Sequence, residues 1–82
     1  MPSPIRKPNR RSPLAVRLGA SIREARISKA ISQEHLAELA ALSKNYVGNI
    51  ERGEYDVTVS VLHRVAGALG CQASDLLKGA AL

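Results

Sequence analysis

Two helix-start signals set close together limit this chain more than any other feature. Ser32 and Ser43 stand eleven residues apart, and each precedes a stretch of helical periodicity. A serine hydroxyl at an N-cap accepts from a backbone N–H of the first turn, so both positions are predicted helix starts. After Ser32, Gln33 and Glu34 occupy the first turn, and Gln33, Leu36, Ala37 and Ala40 share one face. Gly53 ends the second segment, glycine being the residue that accepts a left-handed C-terminal conformation. The spacing predicts two helices of about eight to ten residues joined by a turn of three or four, the helix-turn-helix plan. A crossing this close needs one small contact side chain, which Ala37 supplies, while Leu36, Leu42, Val47 and Ile50 are spaced to fill the angle.

The flanking segments carry the same period. From Leu14 to about Ser28, one stripe holds Leu18, Ile22 and Ala25, with Pro13 suited to the helix entrance. Thr58 is the expected cap of a segment whose stripe is Leu62, Val65, Ala66 and Leu69, closed by Gly70. Ser74 is the expected start of a last short helix through Lys78 that buries Leu76 or Leu77. No segment alternates with period two long enough for a strand. The expected fold is all-α, with five short helices in one domain over 14–82.

With 82 residues, a single small core is expected to supply only ~3–5 kcal/mol without a staple or a partner. Cys71 stands alone, which excludes a disulfide. His35 and His63 are too far apart to complete a structural metal site with it, so neither metal nor cofactor is expected. Oligomerisation remains. Val61, Ala68, Leu76, Leu77 and Leu82 exceed what one small core needs, so some are expected to face a symmetry mate. No apolar run approaches the ~20 residues of a membrane span or forms a signal-peptide core, which implies a soluble, cytoplasmic protein with a reduced thiol.

The aromatic count removes a further class. The chain has no Phe or Trp and two tyrosines, Tyr46 and Tyr55, so it offers no stacking platform for single-stranded nucleic acid. It nevertheless carries 12 Lys+Arg against 7 Asp+Glu, net +5, which points to duplex DNA read through phosphates and groove edges. Residues 1–13 hold Arg6, Lys7, Arg10 and Arg11, all four prolines and no acid, leaving 8 basic and 7 acidic residues in 14–82. A basic, proline-stiffened arm thus precedes a nearly neutral body. Composition leaves two readings of it open: a solvated tail, or an arm lying on the DNA backbone.

At this level of detail the chain resembles the Cro/repressor-type helix-turn-helix domains, the xenobiotic-response-element family. The resemblance rests on Arg23 and Arg26, SQEHLAELA at 32–40, LSKNYVGNIERG at 42–53, and Leu62, Val65, Ala66, Leu69 and Gly70. It covers roughly residues 16–78, and the run NYVGNIERGEYDVT is most similar to the controller proteins of restriction–modification systems. Two positions depart from the family pattern, Ala41 and Ala30 standing where Gly is usual. The resemblance implies a lambda-repressor-like fold and a DNA-binding regulator, dimeric through its last two helices. Base-reading positions map onto Lys44, Asn45 and Asn49, and phosphate contacts onto Gln33, Ser43, Tyr46 and Arg52. Arg26 and Glu51 map onto a structural ion pair between the first helix and the end of the recognition helix. Gln33 also sits at a helix N-terminus, where backbone N–H groups favour an anion. Tyr46 has packing as an alternative. Glu54 and Asp56 fall where some relatives place basic phosphate contacts, so this loop is expected to stand away from the backbone or to cap the Thr58 helix. His35 and His63 are expected at the surface, and Cys71 as a small buried residue.

Three functions compete. A transcriptional regulator on a (pseudo)palindromic operator fits best. A toxin-sequestering antitoxin that binds DNA secondarily is the alternative, with the arm as its toxin-binding segment. An enzyme fits least, since no nucleophile–base pair, phosphate loop or carboxylate pair occurs at a workable spacing.

Overall fold

The structure, a computed structural model, describes residues 12–82, so Arg6, Lys7, Arg10 and Arg11 lie outside the described residues. Five helices follow one another: α1 (Pro13–Ser28), α2 (Gln33–Ala40), α3 (Lys44–Glu51), α4 (Val59–Ala68) and α5 (Ala73–Gly79). No strand occurs among the described residues.

Local chemistry explains most of the boundaries. Ser12, Ser32, Ser43 and Thr58 each accept from a backbone N–H three residues on, at 2.9–3.2 Å. Pro13 is the first helical residue of α1, where its missing N–H costs nothing. One expected start is corrected: α5 opens not at Ser74 but at Ala73, capped by Gln72. The Gln72 N–H donates to the Asp75 carboxylate at 2.9 Å, and the Gln72 side chain completes the reciprocal box. Each helix closes with the paired backbone bonds of a Schellman turn. At α3 these run from the Gly53 N–H to the Ile50 carbonyl at 2.9 Å and from the Glu54 N–H to the Asn49 carbonyl at 2.9 Å. Gly53 has φ +77°, and a side chain there would also strike the Val16 backbone at 2.7 Å, so the position is closed to any other residue.

The core draws on every helix. Ile22, Leu36, Val47, Ile50, Val65 and Leu69 are fully buried, and Ala37 and Ala40 allow α2 and α3 to approach closely. Burying a side chain such as Leu36 contributes about 1.5–3 kcal/mol relative to leaving it exposed. Leu42 is partly buried against this cluster. α1 packs on α3 and α5, and α2 on α3 and α4, so α3 is held from two sides and presents a third.

The monomer core uses more of the apolar surplus than expected. Val61 and Leu76 are buried within the chain itself, whereas Ala68 and Leu77 are partly buried and Leu82 is exposed. Cys71 is only half-buried, not sealed in the core. Burial foremost pushes its thiol up, with Asp75 adding to the shift and Lys29 opposing it.

Candidate nucleic-acid interface

Ser43 caps helix α3, and its cap bond leaves the next residues free to project from the first turn. Lys44 and Asn45 are exposed, Asn49 is half-exposed one turn on, and Arg52 is exposed past the helix end. Together with Gln33 and Gly48 they line one open cleft of about 260 Å³. Five of the residues singled out from the sequence thus meet at a single surface, which the α2–α3 turn creates by crossing the N-terminus of α2 over the middle of α3.

Behind this surface lies a buried carboxylate. Glu51 has a side chain only 1% exposed and accepts three hydrogen bonds. Arg26 Nε meets Oε2 at 2.7 Å, Arg26 Nη2 meets Oε1 at 3.1 Å, and Gln33 Nε2 meets Oε1 at 3.0 Å. Arg26 Nη1 also donates to the Ile31 carbonyl at 2.9 Å. The bond to Glu51 foremost, and its charge, raise the Arg26 guanidinium above its ordinary range against the opposing effect of burial. A buried pair of this kind is weak evidence of net stability, but removal of one partner strands the other. Gln33 is the hinge between anchor and surface. Because a carboxylate only accepts, the amide nitrogen must face Glu51. The oxygen then lies on the α3 side, 3.7 Å from where a Cβ on Gly48 would stand.

Arg52 is held at two points: it donates through Nη2 to Asn49 Oδ1 and through Nε to Glu54 Oε2, the latter at 3.1 Å. Glu54, an expected departure from a basic loop, thus holds the arginine at the end of α3. Asp56 accepts from the Ser12 hydroxyl at 3.5 Å, and Thr58 caps its own helix. Tyr46 differs from the other mapped residues. It is 7% exposed, and its ring packs in the core with the Tyr55 ring centroid 5.9 Å away. Burial foremost raises its phenol, and nearby Arg64 opposes the shift.

Three contributors had no signal in the sequence. Arg64 reaches from α4 to donate to the carbonyls of Ala40, at 3.0 Å, and Ala41, which satisfies the end of α2 at the helix-turn-helix bend. Arg17 does the same for the end of α5, donating to Ala80 at 3.1 Å and Ala81 at 2.8 Å. Ser21, buried in α1, donates to the Leu76 carbonyl at 2.7 Å. His35 and His63 are exposed. No cluster of His, Cys, Asp or Glu suited to a metal ion occurs among the described residues. None of their helices is long and apolar enough to cross a membrane.

Two short helices crossing at a capped turn, with a polar face on the second and three further helices around them, define a helix-turn-helix domain. The profile of the helix-turn-helix family HTH_3 matches residues 22–76, and the chain belongs to this family of DNA-binding transcription regulators. It is 42% identical over 60 residues to the immunity repressor protein of Bacillus phage phi105, covering 73% of this chain and 42% of the repressor. It is 40% identical over 60 residues to the control protein C.BamHI of Bacillus amyloliquefaciens, covering 72% of this chain and 74% of that protein. Among solved structures, the restriction–modification controller protein C.AhdI of Aeromonas hydrophila superposes with a TM-score of 0.74 at 39% identity, over 76% of this chain and 94% of that one. The clp gene regulator ClgR of Corynebacterium glutamicum superposes with a TM-score of 0.81 at 37% identity, over 83% and 72% respectively.

Proposed function

We propose that this chain is a sequence-specific transcriptional regulator of the controller type, acting in the cytoplasm as a homodimer on a (pseudo)palindromic duplex operator with α3 in the major groove. The observation that carries the proposal is the shared cleft of Gln33, Lys44, Asn45, Asn49 and Arg52, polar, exposed and backed by a rigid anchor. Lys44, Asn45 and Asn49 are long enough to reach base edges from the outward face of α3, with Lys44 donating to guanine O6 or N7. Gln33, Ser43 and Arg52 flank them at helix ends and take phosphates. Whatever Tyr46 adds must come from the hydroxyl end of a ring otherwise committed to packing.

Dimerisation through α4 and α5 draws on the apolar residues the monomer leaves uncovered there, chiefly Leu77 and Leu82 with Ala68. A two-fold dimer sets two recognition helices one DNA turn apart, ~34 Å, which demands a matching half-site spacing. The basic segment 1–11 adjoins Ser12, which bonds to Asp56 in the loop after α3. Arg6, Lys7, Arg10 and Arg11 supply the charge to follow the DNA backbone. Nothing in the geometry favours the toxin-sequestering role.

The test is mobility shift with an operator selected from a random duplex pool and with a scrambled duplex of equal length. Specific binding is expected to exceed non-specific binding by ~10³-fold or more. Equal affinity for both duplexes would overturn the proposal. Deleting residues 2–11, which include all four basic residues of the arm, is expected to flatten the plot of log K against log salt by up to ~3–4 units per subunit, at ~0.9 per neutralised phosphate.

A further inference from the structure

An unconstrained asparagine on a recognition helix offers both an amide donor and a carbonyl acceptor, and so pairs bidentately with adenine N6 and N7. Asn49 is not unconstrained. Its side chain bonds to Arg52 Nη2, and a guanidinium only donates, so the atom facing Arg52 must be the oxygen. Arg52 is in turn held by Glu54 through Nε at 3.1 Å, with the Arg52 side chain 51% exposed and that of Glu54 29%. Nε and Nη2 form one edge of the guanidinium, so the two bonds engage that edge together and leave Nη1 outward.

We infer that Arg52 is a specificity-determining positioning residue, which draws Asn49 Oδ1 toward its guanidinium and so turns Nδ2 toward the groove, where it favours guanine over adenine. The inference rests on the groove placement of α3 proposed above. With Oδ1 engaged by a cation, what Asn49 shows the groove is Nδ2 with its hydrogens. Guanine meets it with two acceptors, O6 and N7. Adenine meets it with one acceptor, N7, beside the N6 amino group, which sets a donor against a donor. Lys44 on the same face is also a donor, so the two readers favour the same kind of base edge. Arg52 keeps a phosphate role as well, because Nη1 takes part in neither bond.

Selection from a random duplex pool tests this with full-length wild type, Asn49→Ala, Arg52→Met and Glu54→Gln, each checked for folding by thermal melting. Asn49→Ala is expected to erase preference at one base pair per half-site. At that pair the wild type is expected to favour guanine over adenine by ~10-fold or more, the lower end of what one good base contact discriminates. Arg52→Met keeps the side-chain length without the donors. It is expected to bring adenine to within about threefold of guanine there, with all other positions changed only by a uniform loss of affinity. Glu54→Gln is expected to give an intermediate ratio. Adenine favoured by the wild type at that pair, or a guanine-to-adenine ratio unchanged in Arg52→Met, overturns the inference while leaving α3 in the groove. Asn49→Ala altering no base position means that Asn49 reads no base, which overturns the inference, whereas a wild type with no base preference at all would overturn the groove placement itself.

Discussion

Gly19, in α1 against α3, and Gly48, within α3, differ in what a methyl group would meet. On the side that meets α1, a Cβ on Gly19 would fall 2.2 Å from the Ile50 carbonyl oxygen and 2.8 Å from that of Glu51, both rigid backbone. On the side that meets solvent, a Cβ on Gly48 finds Arg52 Nη1 at 3.1 Å and Gln33 Oε1 at 3.7 Å, both the ends of flexible side chains. The inner seam of α3 is therefore set by the fold, since α1 touches it backbone to backbone, and the buried Glu51 network is built over that contact. The outer side is covered at Gly48 only by the ends of side chains, not by the backbone of another helix. It is a surface whose side chains contact one another but have no partner from another helix beyond Gln33, as suits a surface that meets a ligand.

This contrast is broken most severely by removing the buried cation. Arg26→Ala leaves Glu51 buried with Gln33 as its remaining donor, and uncompensated buried charges of this kind cost ~3–5 kcal/mol. The expected result is a large drop in urea midpoint, and with it lower apparent DNA affinity, but the same base preference in whatever fraction stays folded. An unchanged midpoint with affinity lost would instead make Arg26 a direct DNA contact.

The paired glycine substitutions sharpen the comparison. Gly19→Ala must push α1 away from α3, an overpacking expected to cost ~1–3 kcal/mol. Gly48→Ala meets only movable groups and relieves a helix-interior glycine, so it is expected to stabilise by up to ~1 kcal/mol. Thermal melts of the two variants should move in opposite directions. If both fall, the outer side of α3 is as tightly specified as the inner one.

Such a difference was not legible in the sequence, where Gly19 and Gly48 are both glycines within helical stretches. What was legible is chemistry confined to a few neighbouring residues. Serine and threonine caps, glycine stops and the period of apolar positions locate all five helices, and the two close caps identify the helix-turn-helix. The local reading slipped at α5 because Ser74 is the stronger cap by residue type, while the Gln72–Asp75 box actually closes the end. It also overestimated the apolar surplus. Val61 and Leu76 look redundant when the core is counted helix by helix, but the α4–α5 and α1–α5 seams consume them. Least visible were the long-range hydrogen bonds. Arg17 and Arg64 lie on the polar sides of their helices, where a sequence shows only a charge, and their partners are backbone carbonyls 63 and 24 residues away. At the interface, the sequence supplies the outward residues of α3, but not that Asn49 is turned by Arg52 or Gln33 by Glu51.

The smallest expected effect concerns the bend that sets α2 against α3. Ala41 has φ +58° and ψ +47°, a left-handed conformation that costs an L-residue roughly 1–2 kcal/mol. It persists because the turn is fixed from several directions. The Ala41 N–H donates to the Glu38 carbonyl at 3.3 Å, the Leu42 N–H to the Ala37 carbonyl at 2.8 Å, and Arg64 draws on the carbonyls of Ala40 and Ala41. Ala41→Gly removes the steric cost but gives the unfolded chain more freedom to lose, which returns ~0.4–1 kcal/mol. The net expectation is a gain of about 0.5 kcal/mol, a rise of ~2–4 °C in Tm for a domain of this size, with base preference unchanged. Ala30, at φ +58° after α1, is the control, since it has the same backbone conformation while the arginine of its turn, Arg26, bonds to Ile31 and not to the left-handed residue itself. Ala30→Gly is expected to gain a similar amount, and the double variant the sum to within ~0.3–0.5 kcal/mol. A loss of stability at Ala41 with a gain at Ala30 would mean that the methyl of Ala41 contributes packing at the bend, outweighing the strain of its φ.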